Sequence, residues 1–186
     1  MAEIRTFIAV EIPDSVRDRI AKVQAELKKH KERISWTKPG NIHLTLKFLG
    51  NVDEEKIPAI SEIIQEVVKD RKPFSLNVRE VGAFPNVSRP RVLWVGIDDN
   101  PEIVEIADRI DEGLSQIVFP KEKRKFSPHL TIGRVKSRTG KQFLQNLQNF
   151  DFDGGKVDVN EIVVVKSDLK PTGAVYTYLK KIRLQG

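Results

Sequence analysis

The chain has no cysteine among its 186 residues. That absence excludes a disulfide framework, a thiolate zinc site, an iron–sulfur cluster and a cysteine nucleophile. Its one methionine is Met1, and aromatic residues make up only 7% of the chain. Scarce Cys and Met beside abundant Lys and Glu is a pattern of heat-tolerant proteins. No apolar run approaches the ~18 residues that a membrane span needs. The opening Met1-Ala2-Glu3-Ile4-Arg5 lacks the character of a signal peptide, so a cytoplasmic protein without a membrane partner is expected. There is no Walker loop, dinucleotide fingerprint or Gly-x-Ser-x-Gly elbow. Asp153-Gly154-Gly155 reads as an ordinary turn.

What is present is charge and a repeat. Lys plus Arg number 32 against 26 Asp plus Glu, a net charge of +6, and 39% of residues are hydrophobic. A chain of this length buries roughly 70% of its unfolded surface on folding and needs no covalent staple. A basic balance fits anionic partners such as nucleic acid or phosphorylated ligands, and equally a plain basic protein. Of only three histidines, two stand in nearly identical words, His43-Leu44-Thr45-Leu46 and His129-Leu130-Thr131-Ile132, 86 positions apart. The surroundings repeat at the same offset. A strand-like run at Thr6–Val10 matches Val92–Val95, Asp14 and Asn100 each open a helical pattern, and Asp53 and Thr139 stand as caps of a second helix pair.

Apolar periodicity defines the helices. Val16, Ile20, Val23 and Leu27 mark the first, and Ile103, Ile106, Ala107, Ile110 and Leu114 mark its partner behind Asn100-Pro101. The second pair runs from Asp53 to about Val68 and from Thr139 to about Leu147, with Pro58 in opening turns where it does little harm. Strand patterns follow at Phe74–Arg79, Lys156–Lys166 and Val175–Leu184. Each half thus reads strand, helix, strand bearing His-x-Thr, helix, strand. The expected fold is α+β and bilobal: one domain over 1–186, built of two pseudo-symmetric lobes, roughly 1–84 and 85–186, of mainly antiparallel sheet. Helices lie outside and a cleft lies between. A turn-rich link is expected at 84–91.

Side chains alternate along a strand. His43 and Thr45 therefore share one face while Leu44 and Leu46 enter the core, and His129 and Thr131 do the same. Two opposed imidazoles suit in-line displacement at phosphorus, one taking a proton from the attacking oxygen and the other protonating the leaving oxygen. Thr45 and Thr131 are placed to donate to non-bridging oxygens. No metal is needed, although a two-histidine zinc site is an alternative that lacks a third ligand in sequence. His30, among Lys28, Lys29 and Lys31, reads as structural or solvated.

Further candidates are substrate contacts. Lys47 continues the His43–Thr45 face by period two. Arg134 faces away from His129 by simple alternation, unless a bulge near Gly133 re-aims it. Lys121, Lys123, Arg124 and Lys125 form a basic run fit to guide an RNA backbone, or simply a solvated loop. Trp36 and Phe84, near turns, are candidates to stack a base, whereas Trp94 in its apolar strand reads as core.

These words resemble the two-histidine phosphoesterase superfamily. In finer detail they resemble the RNA 2′,3′-cyclic phosphodiesterase family, also called 2′–5′ RNA ligases. The resemblance rests on Arg5–Val10, Asn41–Gly50, Phe126–Arg134 and Leu169–Tyr176, and it spans essentially the whole chain. It implies a bilobal fold with both histidines in a central cleft. It also implies opening of RNA 2′,3′-cyclic phosphate ends to 2′-phosphomonoesters without metal or nucleotide cofactor, and a weak reversible joining of tRNA halves. By the same resemblance His43 is the proton donor, His129 the acceptor, and Arg134 a phosphate or substrate contact. A monomer is expected. Ligation as the main activity and a non-catalytic RNA-binding module are the competing readings.

Overall fold

The structure is a computed structural model that describes residues 2–186. Nine strands and four helices follow one another as β1 (Glu3–Glu11), α1 (Asp14–Lys28), β2 (Ile34–Trp36), β3 (His43–Asp53), α2 (Ile57–Val68), β4 (Phe74–Asn86) and β5 (Arg89–Ile97). The chain continues through α3 (Pro101–Ser115), β6 (His129–Val135), α4 (Lys141–Gln148), β7 (Asp153–Val159), β8 (Glu161–Lys170) and β9 (Gly173–Arg183). The expected helical faces are buried: Val16, Ile20, Val23 and Leu27 in α1, and Ile103, Ile106, Ile110 and Leu114 in α3. Asn100 caps α3, its Oδ1 accepting from the Ile103 amide at 3.0 Å, with Pro101 in the first turn. Asp53 accepts from the Glu55 amide and caps a short 3₁₀ turn ahead of α2. At the start of α4 the capping position falls to Gly140 rather than Thr139.

The strands form two antiparallel sheets, β3-β1-β8-β9 and β2-β6-β5-β4-β7. The fold is α+β as expected, but the sheets do not follow the halves of the sequence. β4, the third strand of the first repeat, pairs with β5 of the second, while β8 returns to pair with β1. Each half of the chain thus lends two strands to the other's sheet, β2 and β4 in one direction and β8 and β9 in the other. The stretch at 84–91, read as a link between lobes, is the tight hairpin joining β4 to β5 within one sheet. Lys156–Lys166 is not one strand: it breaks at Asn160 into the end of β7 and the start of β8, which belong to different sheets. The three-residue β2 is too short to carry a readable alternation.

Helices α2 and α3 pack against the first sheet, α1 and α4 against the second. Together they bury the main core, which includes Ile8, Val10, Leu44, Leu93, Leu130 and Ile132. The other face of the first sheet carries a small separate cluster of Phe7, Ala9, Val163 and Val165, flanked by Tyr176 and Tyr178. Among the described residues no helix is long and apolar enough to cross a membrane.

Candidate active site

Both His-x-Thr words lie on strands that pair with the first strand of their repeat, β3 on β1 and β6 on β5. Leu44, Leu46, Leu130 and Ile132 are buried on the core side. His43, Thr45, His129 and Thr131 face one cavity of about 310 Å³, near the lower end of small-molecule sites. Arg5, Phe48, Arg134, Ser167 and Tyr176 complete much of its wall.

A bulge follows each word. Thr45 pairs with Ala9 and Lys47 with Ile8, leaving Leu46 as the extra residue; Thr131 pairs with Trp94 and Gly133 with Leu93, leaving Ile132. An extra residue reverses the parity of everything after it. Arg134 is thereby turned onto the face of His129 and lines the cavity. Its counterpart 86 positions earlier is Phe48, which also lines the cavity. The same bulge corrects the reading of Lys47. Its side chain is buried on the opposite face, where Nζ donates to Asp111 Oδ1 at 2.6 Å and to the Pro120 carbonyl at 3.0 Å.

The aromatic candidates divide differently from expectation. Phe84 stands edge-on to the His129 ring, with centroids 4.9 Å apart, and lines an adjoining recess of about 290 Å³. Trp94, read as core, lines the same recess, its ring lying flat over Gly82 where any Cβ would collide. Trp36 does not reach the cavity. It packs over Gly133 with the Lys28 ammonium 5.8 Å from its ring, on the side covered by α1. His30 is likewise remote, with Nε2 against the Asn146 amide at 2.9 Å.

The two imidazoles are held by the same device. His43 Nδ1 lies 3.2 Å from the Asn41 carbonyl, and His129 Nδ1 lies 2.7 Å from the Ser127 carbonyl. A carbonyl only accepts, so both Nδ1 atoms carry a proton and Nε2 is the atom free to exchange one. Beyond this the symmetry fails. His129 is half-buried, and its Nε2 makes no hydrogen bond among the described residues. His43 is buried, and its Nε2 lies 2.8 Å from the Tyr178 hydroxyl. Burial lowers the His43 pKa from its ordinary value, while the Asn41 carbonyl raises it, Arg17 lowers it and Glu11 raises it. Glu11 stands directly opposite His43 in the ladder. Burial is also the main reason that the Tyr178 phenol is pushed up to about 12, and its hydrogen bonding to Glu11 adds to the rise. When the phenol proton is directed at Glu11, the phenol oxygen is left to accept from Nε2. The Tyr178 oxygen and the Glu11 carboxylate thus favour the protonated ring, against a burial that on balance lowers its pKa.

Tyr178, Glu11, Arg5 and Phe48 were not among the candidates read from sequence. Phe48 carried a usable signal, since it is the 86-residue counterpart of Arg134. Tyr178 lies 135 positions from His43 and carried none.

Removing the Tyr178 hydroxyl should move the His43 titration. We expect Tyr178→Phe to titrate His43 at lower pH than the parent protein does, because an acceptor of the Nε2 proton is lost. A ¹H–¹⁵N NMR titration reads this directly. A shift to higher pH would mean that the phenol donates to a neutral imidazole instead.

The cavity lining is strongly anion-directed. It holds two guanidiniums, two imidazoles and three threonine hydroxyls, and no carboxylate. Burial raises the Tyr176 pKa, while Arg5 and Arg134 beside it pull the other way. A metal does not suit this donor set, and no group of three or more His, Asp or Glu among the described residues is placed to hold one. Hydrogen-bond donors flanking paired imidazoles define an acid–base site for a small anion, with phosphate the natural fit.

Comparison with known proteins agrees with that class. The profile of the LigT-like phosphoesterases matches twice, at residues 10–94 and 95–176. The chain is 38% identical to the RNA 2′,3′-cyclic phosphodiesterase of Methanocaldococcus jannaschii over 96% of this chain and 99% of that one. With the enzyme of that name from Methanothermobacter thermautotrophicus it shares 31% identity, over 98% and 100%. Among solved structures, TT0787 of Thermus thermophilus superposes with a TM-score of 0.83 at 28% identity over 98% of each chain. E. coli LigT complexed with 3′-AMP gives 0.80 at 26% identity over 99% of each. The chain belongs to the LigT-like phosphoesterase family.

Proposed function

We propose that this chain opens 2′,3′-cyclic phosphate ends of RNA to 2′-phosphomonoesters by acid–base catalysis between His129 and His43. The observation that carries the reading is the unequal pair of imidazoles facing one carboxylate-free cavity. The relatives' names and the 3′-AMP in the E. coli structure support an RNA-terminal phosphate as occupant. His129 Nε2, open to the cavity, takes a proton from water as its oxygen bonds to phosphorus. The P–O3′ bond breaks on the opposite side, and His43 gives its Nε2 proton to the departing O3′. The phosphate remains on O2′, the 3′-hydroxyl is restored, and the imidazoles exchange their altered protonation with solvent. Thr45 and Thr131 donate to the non-bridging oxygens as charge builds there, and Arg134 and Arg5 balance it. A 5′-hydroxyl in place of water forms a 2′–5′ link by the same proton movements, which accommodates joining of tRNA halves as a side reaction.

The test is the identity of the product. A short RNA ending in a 2′,3′-cyclic phosphate should yield only the 2′-phosphate. A 3′-phosphate would place the leaving oxygen on the wrong side of phosphorus and overturn the roles given to the two histidines.

A further inference from the structure

Lys47 poses a question the catalytic cavity does not answer. A lysine side chain only 3% exposed is costly to bury, and here it does not line the catalytic cavity. Instead it gathers Asp111 of α3, the Pro120 carbonyl and Glu122 Oε1, the last at 3.4 Å. The Asp111 carboxylate also accepts the Glu122 amide, at 3.2 and 3.1 Å. These bonds pin the segment between α3 and β6 against β3. The pinned segment forms one wall of a groove of about 440 Å³, lined by Phe48, Leu49, Phe119, Lys121, Lys123 and Arg124.

Phe48 lines both the groove and the catalytic cavity, which therefore lie side by side. Its ring is 46% exposed, and the Arg5 guanidinium stands 4.6 Å from its centroid. Lys121 is engaged with Glu112. Lys123, Arg124 and Lys125 are exposed and form no ion pair among the described residues. An exposed aromatic leading from the reaction centre to a row of free cations has the makings of a single-strand track: the ring stacks a base and the cations follow the phosphates.

We propose that this groove binds the RNA upstream of the terminal nucleotide. The penultimate base stacks on Phe48, and the preceding phosphates lie along Lys123, Arg124 and Lys125. The proposal rests on the cyclic-phosphodiesterase reading for its occupant. It also gives buried Lys47 its role, that of a positioning residue for the basic segment.

The experiment compares kcat/KM at low salt for a nucleoside 2′,3′-cyclic monophosphate and for an RNA of about six nucleotides with the same end. The parent protein should favour the longer substrate. The exposed triple variant Lys123→Gln/Arg124→Gln/Lys125→Gln should lose roughly tenfold or more on it while keeping turnover of the mononucleotide. The slope of log kcat/KM against log salt should flatten by roughly 0.7 for each phosphate that is no longer neutralised. Phe48→Ala should cost the longer substrate roughly 5- to 100-fold more than the mononucleotide. Equal parent rates on both substrates, or an unchanged length preference in the triple variant, would overturn the track. A labelled RNA of the same length ending in a 3′-phosphate supplies a binding readout independent of turnover. If neither cyclic substrate is opened, the functional reading fails, and weaker binding of this RNA by the triple variant still decides for or against the track.

Discussion

Replacing either His43 or His129 by alanine should lower the single-turnover rate of cyclic-phosphate opening on the order of 10²–10⁴-fold, the usual worth of a positioned general acid or base. The two losses have different structural backgrounds. His129 is half-buried and makes one hydrogen bond through its ring, to Ser127, so His129→Ala should leave the fold intact. His43 is buried between the Asn41 carbonyl and the Tyr178 hydroxyl, so alanine also opens a gap there. His43→Gln separates the effects, because it keeps a hydrogen-bonding side chain of similar reach that does not titrate near neutral pH. A cooperative melt together with lost activity in His43→Gln is the expected outcome. Activity near that of the parent in either histidine variant would remove that residue from the chemistry.

The next largest effects should come from the threonines. Thr45→Val and Thr131→Val each exchange a hydroxyl for a methyl at nearly constant volume and should cost on the order of 10–10³ in rate, in the range of a lost oxyanion donor. Thr45 is exposed and Thr131 half-buried, so neither change disturbs the core. The loss should appear in kcat more than in KM, since the donors meet most charge when phosphorus is five-coordinate. Steady-state kinetics on a short cyclic-phosphate RNA measures it. Unchanged kcat in both variants would assign the threonines to the strand and not to catalysis.

A stability effect follows from the Lys47 network. Lys47→Met keeps the packing of the stem but strands the partly buried Asp111 carboxylate, at a cost of about 2–3 kcal/mol. For a chain of this size that lowers Tm by roughly 4–12 °C, which calorimetry reads. An unchanged Tm would mean that Asp111 finds water at no cost.

Much of the site was legible because its signals are local and repeated. The two words, their 86-residue spacing and the alternation that sends Leu44 and Leu130 inward sufficed to put four side chains on one cavity wall. Period-two reasoning failed one step further along. A bulge after each word inverts the parity, sending Lys47 into the core side and bringing Phe48 and Arg134 to the front. A bulge is set by the partner strand, so the strand's own sequence gives it only weakly. Trp94 misled for a related reason. Its neighbours are apolar, but Gly82 and Gly96 leave room for the indole to lie along the sheet, beside the recess next to His129. The exchange of β2 and β4 for β8 and β9 between sheets was out of reach, because the repeat fixes what the strands are and not which strand they pair with. Tyr178 belongs to the same class: only the pairing order brings it beneath His43.

The most direct test of the account is a single-turnover reaction on a short RNA ending in a 2′,3′-cyclic phosphate, run in excess chelator. The account predicts full-rate opening with the phosphate retained on O2′, slowed on the order of 10²–10⁴-fold in both His43→Gln and His129→Ala. Opening that fails with chelator, or that runs near the parent rate in either variant, would contradict proton transfer between the two imidazoles as the source of catalysis.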